Sequence, residues 1–165
     1  MTGTSLLASS PLKQIRLPVA VADPTASIFV ETLVPPERHG HRIDSVIIDR
    51  RRTGRPFRYI YGKSVVGPRP CNTQNAICRI DTVDGSVMTW CEAPSLIPAG
   101  PVLFLPRPGA NQEDELDGVL LADCLRADGR AVFVILSAAT LSEVARVVLP
   151  YRHCWAYRNT WVPAG

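Results

Sequence analysis

Val119-Leu120-Leu121-Ala122-Asp123-Cys124-Leu125 is followed by Arg126-Ala127-Asp128-Gly129-Arg130, and then by Ala131-Val132-Phe133-Val134-Ile135-Leu136. Two apolar runs rich in Val, Ile, Leu and Phe flank one polar turn, which is the pattern of a β-hairpin. Gly accepts positive φ without a side-chain clash, and Asp accepts it better than most residues, so Asp128-Gly129 suits a tight turn. A second such pair, Asp84-Gly85, separates the runs 77–82 and 86–90 in the same way. Both hairpins demand antiparallel pairing.

Working outward, 15 Pro and 11 Gly punctuate the chain so often that no long helix survives. Strands are expected near 14–21, 28–34, 45–49, 57–61, 76–81, 86–90, 102–105, 119–125, 131–136 and 144–149. The one helical candidate is 138–148, where apolar residues partly fit a spacing of three and four. Val144, Val147 and Val148 favour strand instead, because β-branched side chains lose rotamer freedom in a helix. A weak repeat supports stacked β units. Cys78-Arg79-Ile80-Asp81, a turn and Ser86-Val87-Met88 are echoed by Val134-Ile135-Leu136-Ser137, a turn and Glu143-Val144-Ala145. Asp81 and Ser137 lie 56 residues apart, somewhat more than a propeller blade of about 40–50 residues. On these residues alone a propeller, a sandwich and an irregular barrel all stay open.

Composition narrows the function classes. With 46% hydrophobic and 20% charged residues, the 165-residue chain reads as one globular domain. A formal charge of +3 carries no nucleic-acid signature. The densest basic run, Arg50-Arg51-Arg52 with Arg55 and Arg58, reads as a solvated turn rather than a phosphate patch. Five cysteines, an odd number without a zinc-knuckle gap, read as reduced and mostly buried. That points to an intracellular setting, the cytoplasm first and a plastid second, because 1–13 lacks acidic residues yet is not Arg-rich. No apolar run is long enough for a transmembrane segment. No GxSxG, P-loop or dinucleotide fingerprint occurs.

Four motifs then occur in a fixed order. They are Gly54-Arg55-Pro56-Phe57-Arg58-Tyr59-Ile60-Tyr61-Gly62; Gly100-Pro101-Val102-Leu103-Phe104-Leu105-Pro106-Arg107-Pro108-Gly109-Ala110 running into Glu113-Asp114 and Asp117-Gly118; Val134 through Arg146; and Leu149-Pro150 with Trp161-Val162-Pro163. Together they resemble the C-terminal portion of the carotenoid cleavage oxygenase family, which includes carotenoid and apocarotenoid dioxygenases, retinoid isomerases and stilbene-cleaving enzymes. Upstream, Lys13-Gln14-Ile15-Arg16-Leu17-Pro18 is similar to another family strand. The match is strong over 54–163 and weak over 1–53, within a single partial domain spanning 1–165. The resemblance implies an all-β fold, about three antiparallel blades of a seven-bladed β-propeller.

The resemblance also implies Fe(II) held by four histidines, with glutamates behind them that accept the outer imidazole N–H groups. Such a site inserts oxygen across a conjugated double bond of an apolar polyene or stilbene. This chain has three histidines, His39, His41 and His153, so it cannot supply four. Three ligands are expected to lie before Met1. The fourth belongs to the family's GFHG segment, where this chain reads Ala156-Tyr157-Arg158-Asn159 and so sets Arg158 at the ligand position. Arginine stays protonated and offers a metal no lone pair. His153 lies five residues away, a slip that reverses the strand face and displaces the side chain by roughly 15 Å. His39 and His41 sit in a Pro-rich turn with no evident third ligand. Two outer carboxylates have counterparts: Glu113, in an acidic turn that Glu115-Leu116 lengthen, and Asp44, one methylene shorter than a glutamate. Without the ligands both read as solvated loop acids, and the chain alone is expected not to bind iron or cleave substrate. Trp90, Trp155, Trp161, Phe104 and Phe133 suit either a polyene tunnel or ordinary core packing. A third of a ring leaves two open edges, which invites self-association or pairing with another polypeptide as a non-catalytic β module.

Overall fold

A computed structural model describes residues 11–16, 28–35, 38, 42–67, 74–152 and 160–162. Strands β1 (Leu12–Arg16) and β2 (Phe29–Val34) form a two-stranded antiparallel sheet. Strands β3 (Ile43–Ile47), β4 (Tyr59–Ser64), β5 (Ala76–Asp81) and β6 (Val87–Cys91) follow as a four-stranded sheet in chain order. The third sheet holds β7 (Leu96–Pro98), β8 (Leu103–Pro106), β9 (Gly118–Arg126), β10 (Arg130–Ser137) and β11 (Glu143–Arg152). β7 and β8 lie end to end along one edge of β9, so this sheet too is four strands wide.

Each expected strand has its counterpart among these, although 17–21 of the first fall outside the described residues. The segment 138–148 is a turn and then strand, as its valines required. β7 escaped the sequence because Leu96-Ile97-Pro98 is short and ends in a proline. An edge position tolerates that residue, since the missing N–H need not enter a ladder. Both Asp-Gly pairs sit in hairpin turns. Gly129 adopts φ 81 and donates to the Arg126 carbonyl at 2.9 Å, while Asp128 Oδ1 accepts from the Arg130 N–H. Gly85 adopts φ 69 and donates to the Asp81 carbonyl at 2.9 Å. The weak repeat falls on β5–β6 and β10–β11, the last two strands of successive sheets. The broken β7–β8 edge and the long turn at 107–117 account for its extra length.

Side-chain alternation along a strand sends neighbours to opposite faces. In the four-stranded sheet, Ile60, Cys78 and Ile80 point one way and pack with Val34 beneath the β1–β2 hairpin. Tyr61 and Ile77 point the other way and pack with Leu120, Ala122, Val132, Val134 and Leu136 of the third sheet. The middle sheet is therefore buried on both faces. Burying one such Leu or Ile contributes about 1.5–3 kcal/mol, an upper estimate given a compact unfolded chain. Where β8 crosses the start of β9 the backbones touch. A Cβ on Gly118 would lie 2.5 Å from the Leu105 carbonyl oxygen and 2.8 Å from Phe104 Cζ, so only glycine fits there. Sheets stacked face to face in chain order are blades of a β-propeller: two four-strand blades and a hairpin of a third.

Candidate functional site

Edge strands β3 and β8, from successive blades, converge on a cavity of about 490 Å³. Val46, Ile47, Ile48, Leu103, Leu105 and Trp161 are among its apolar walls, and Arg50 and Arg51 stand at one end. β3 is an edge strand whose register shifts between Asp44 and Ile47. Ile47 packs on the core between the blades and Ile48 on the core beneath β1–β2, so the cavity runs along the strand's open edge and meets residues of both faces. Ser45 within that shift holds φ 53, a left-handed value that a residue with a Cβ rarely adopts. Beneath the cavity Phe104 stacks on Tyr61, with ring centroids 5.6 Å apart. On the other side of β8 a second space of about 460 Å³ lies over Leu103, Leu121, Phe133, Ile135 and Val147, and Trp161 borders both.

The seam beside the cavity is polar and closed. Asp49, 1% exposed, caps the 3₁₀ turn Arg50–Arg52 and accepts from the Arg51 backbone N–H at 3.0 Å. The Arg51 guanidinium pairs with Asp49 Oδ2 at 2.8 Å, then reaches across to the carbonyls of Ala110, Asn111 and Asp114. Glu115, 6% exposed, accepts from the backbone N–H groups of Arg58 and Tyr59 at 2.9 and 3.2 Å. The Tyr61 hydroxyl donates to the Glu115 carbonyl at 3.0 Å, and burial pushes this phenol's pKa well up. The acidic turn is thus tied to the first blade through Arg51 and Glu115. The arginine run is correspondingly not a uniformly solvated turn: Arg50 and Arg55 are exposed, whereas Arg51 and Arg52 are half-buried and ion-paired.

Glu113 lies on the acidic turn, 69% exposed, with its carboxylate 2.7 Å from Arg52 Nη1. Asp44 is exposed on β3. It accepts from Gln74 at 2.9 Å and from the Ser45 N–H at 2.6 Å, and these bonds hold its carboxyl below the usual range. Glu113 and Asp44 share no hydrogen-bond partner. His39, His41, His153, Trp155 and Arg158 lie outside the described residues. Trp161 and Phe104 line the first cavity and Phe133 the second, while Trp90 packs against the core. Cys78 and Cys124 are buried free thiols whose pKa burial pushes up to about 12. Cys91 is free but exposed. Sequence reasoning treated Glu115 as an extra residue in a turn and did not single out Asp49. The signal for both was a carboxylate within reach of an arginine run, which on its own does not distinguish a buried pair from a surface one.

Among the described residues no three His, Cys, Asp or Glu side chains converge as a metal site. The donors described are carboxylates and thiols, whereas imidazole is the side chain that suits ferrous iron, and all three histidines lie outside the described residues.

Stacked blades with an apolar cavity between their edge strands define a β-propeller segment carrying one wall of a hydrophobic site. The family model described as RPE65, retinal pigment epithelial membrane protein, matches residues 4–163. The chain belongs to that family, the carotenoid cleavage oxygenases. Carotenoid cleavage dioxygenase 8 homolog A, chloroplastic, of rice (Oryza sativa subsp. japonica) is 34% identical over 164 residues, covering 99% of this chain and 28% of the rice protein. Carotenoid cleavage dioxygenase 8, chloroplastic, of Arabidopsis thaliana is 32% identical over 161 residues, covering 98% of this chain and 27% of that protein. The chain therefore spans under a third of these curated relatives. A variant of the Synechocystis apocarotenoid oxygenase superposes with a TM-score of 0.79 at 23% identity, over 97% of this chain and 32% of that one. That likeness shows the fold. Among the described residues no helix is long and apolar enough to cross a membrane.

Proposed function

We propose that this chain, spanning 1–165, is one partial domain of a carotenoid oxygenase-like protein, and that on its own it does not cleave a polyene. One observation carries the reading: a family match over residues 4–163 occurs in a sequence with only three histidines. A four-imidazole site needs four. Arg158 takes the place of the fourth ligand, and a guanidinium repels a cation where an imidazole would bind it. Glu113 and Asp44 are then remnants of the outer carboxylates, engaged by Arg52 and Gln74 instead of by imidazoles.

What the chain contributes is the apolar wall between β3 and β8, shaped for a conjugated hydrocarbon of the carotenoid, apocarotenoid or stilbene kind. The relatives' names state carotenoid cleavage by a dioxygenase, and the resemblance implies Fe(II) and a conjugated C=C bond for the intact family. We assign the cytoplasm as its compartment, with a plastid as the second reading, which the chloroplastic relatives favour. The test is an oxygen-dependent cleavage assay on the purified chain with excess Fe(II), using an apocarotenal. No aldehyde product is expected; turnover above the free-iron blank would refute the reading.

A second reading has its own support. The face of the last blade that carries Leu121, Phe133, Ile135 and Val147 has no sheet over it among the described residues. β11 beside it is exposed along nearly its whole length. A non-catalytic module that pairs through this face or edge with another polypeptide, or with a second copy, accounts for both. Light scattering on the eluting chain decides: a dimer or larger species supports pairing, and a monomer at high concentration removes self-association.

A further inference from the structure

Within the cavity between β3 and β8, Arg50 and Arg51 stand side by side but in different states. Every direction of the Arg51 guanidinium is taken: Asp49, the carbonyls of Ala110, Asn111 and Asp114, and the ring of Phe104 beneath it at 5.9 Å. Asp49 is in turn neutralised by that arginine at 2.8 Å. Arg50 is exposed and lines the same cavity; its carbonyl accepts from the Thr53 N–H, but its guanidinium has no hydrogen-bond or ion-pair partner among the described residues. The chamber's walls are mostly apolar; of its charged lining residues Asp49 and Arg51 satisfy each other, and the Arg50 guanidinium is left uncommitted among the described residues. Its volume, about 490 Å³, falls within the range typical of small-molecule sites, about 300–1,000 Å³.

The geometry points to a ligand with an apolar chain and a terminal carboxylate, the chain against Val46, Ile47, Leu103 and Trp161 and the carboxylate on Arg50. Burial of the methylenes drives binding but sets no orientation, because the hydrophobic effect is non-directional. The carboxylate orients, because a planar guanidinium offers two parallel N–H donors that match its two oxygens. Asp49 does not oppose this anion, since its charge is already compensated. The inference rests on the proposed reading of this wall as the polyene-facing one, and adds the polar end that such a ligand carries. An apocarotenoid acid and a long-chain fatty acid share this chemistry.

Trp161 lines the cavity and serves as the reporter. Retinoic acid, retinol and retinyl acetate are titrated against the emission of the full chain, and oleate is then used to displace bound retinoid. Retinoic acid is expected to bind about tenfold more tightly than retinol or the ester. Arg50→Gln should abolish that preference while an Arg55→Gln control keeps it, and Trp161→Phe should remove the quenching component. Equal affinities for acid and alcohol, unchanged by Arg50→Gln, would overturn the carboxylate preference and leave the polyene reading intact. Binding of oleate with no retinoid of any end group would support the carboxylate site and contradict the polyene reading. No binding by any of these probes would overturn the inference.

Discussion

The two faces of the last blade follow the same alternation and meet opposite fates. Its inner face, Leu120, Ala122, Val132, Val134 and Leu136, is closed against the first blade. Its outer face, Leu121, Phe133, Ile135 and Val147, is comparably apolar and bounds an open space. Apolar content therefore does not decide which face is sealed. What distinguishes the inner face is the polar stitching at its rim, where Asp49, Arg51 and Glu115 fix one blade to the next. Hydrophobic burial drives the stacking without setting an angle, and the directional bonds at the rim set it.

Breaking that rim should therefore have the largest effect. Arg51→Ala leaves Asp49 as a buried carboxylate without its cation, and is expected to lose about 3–4 kcal/mol of stability, read as a fall in the urea midpoint. Next comes Gly118→Ala, whose methyl must displace the β8 backbone. A loss of about 1–3 kcal/mol is expected from the same titration.

A smaller effect is expected from pH. Burial works against the Asp81 carboxylate, but Arg58, 2.7 Å away, holds its pKa below the ordinary value. The unfolded chain then takes up the proton first. The contribution is full above about pH 4 and is lost as pH falls through the lowered value. Melting temperature should drop across that acid range, and Asp81→Asn should flatten the drop.

The smallest effect is expected on the open face. Val147→Ser, at a side chain 51% exposed, should change the stability of the monomer by less than about 0.5 kcal/mol. A large loss at Val147 would mean that the outer face is sealed as firmly as the inner one.

Much of the fold was legible because it is written in short-range terms. Alternating Val, Ile and Leu runs and two Asp-Gly turns specify hairpins, and the echo falls on equivalent strand pairs, β5–β6 and β10–β11, although its 56-residue offset left sandwich and barrel open. β7 was not legible, since three residues ending in Pro98 carry no alternation. Less of the site could be read. The cavity lies along two edge strands from different blades, a juxtaposition that leaves no local pattern. Glu115 and Glu113 look equivalent in sequence, two acids in one turn. Only the approach of the first blade's backbone buries one and leaves the other on the surface.

We infer that this chain carries the propeller scaffold of the family without a working iron site of its own. Iron content per chain, measured by elemental analysis after anaerobic loading with Fe(II) and gel filtration, tests it most directly. Iron far below one atom per chain is expected, and Arg158→His alone should leave it there, because one restored imidazole does not make a four-ligand site. One tightly held iron per unaltered chain would contradict it.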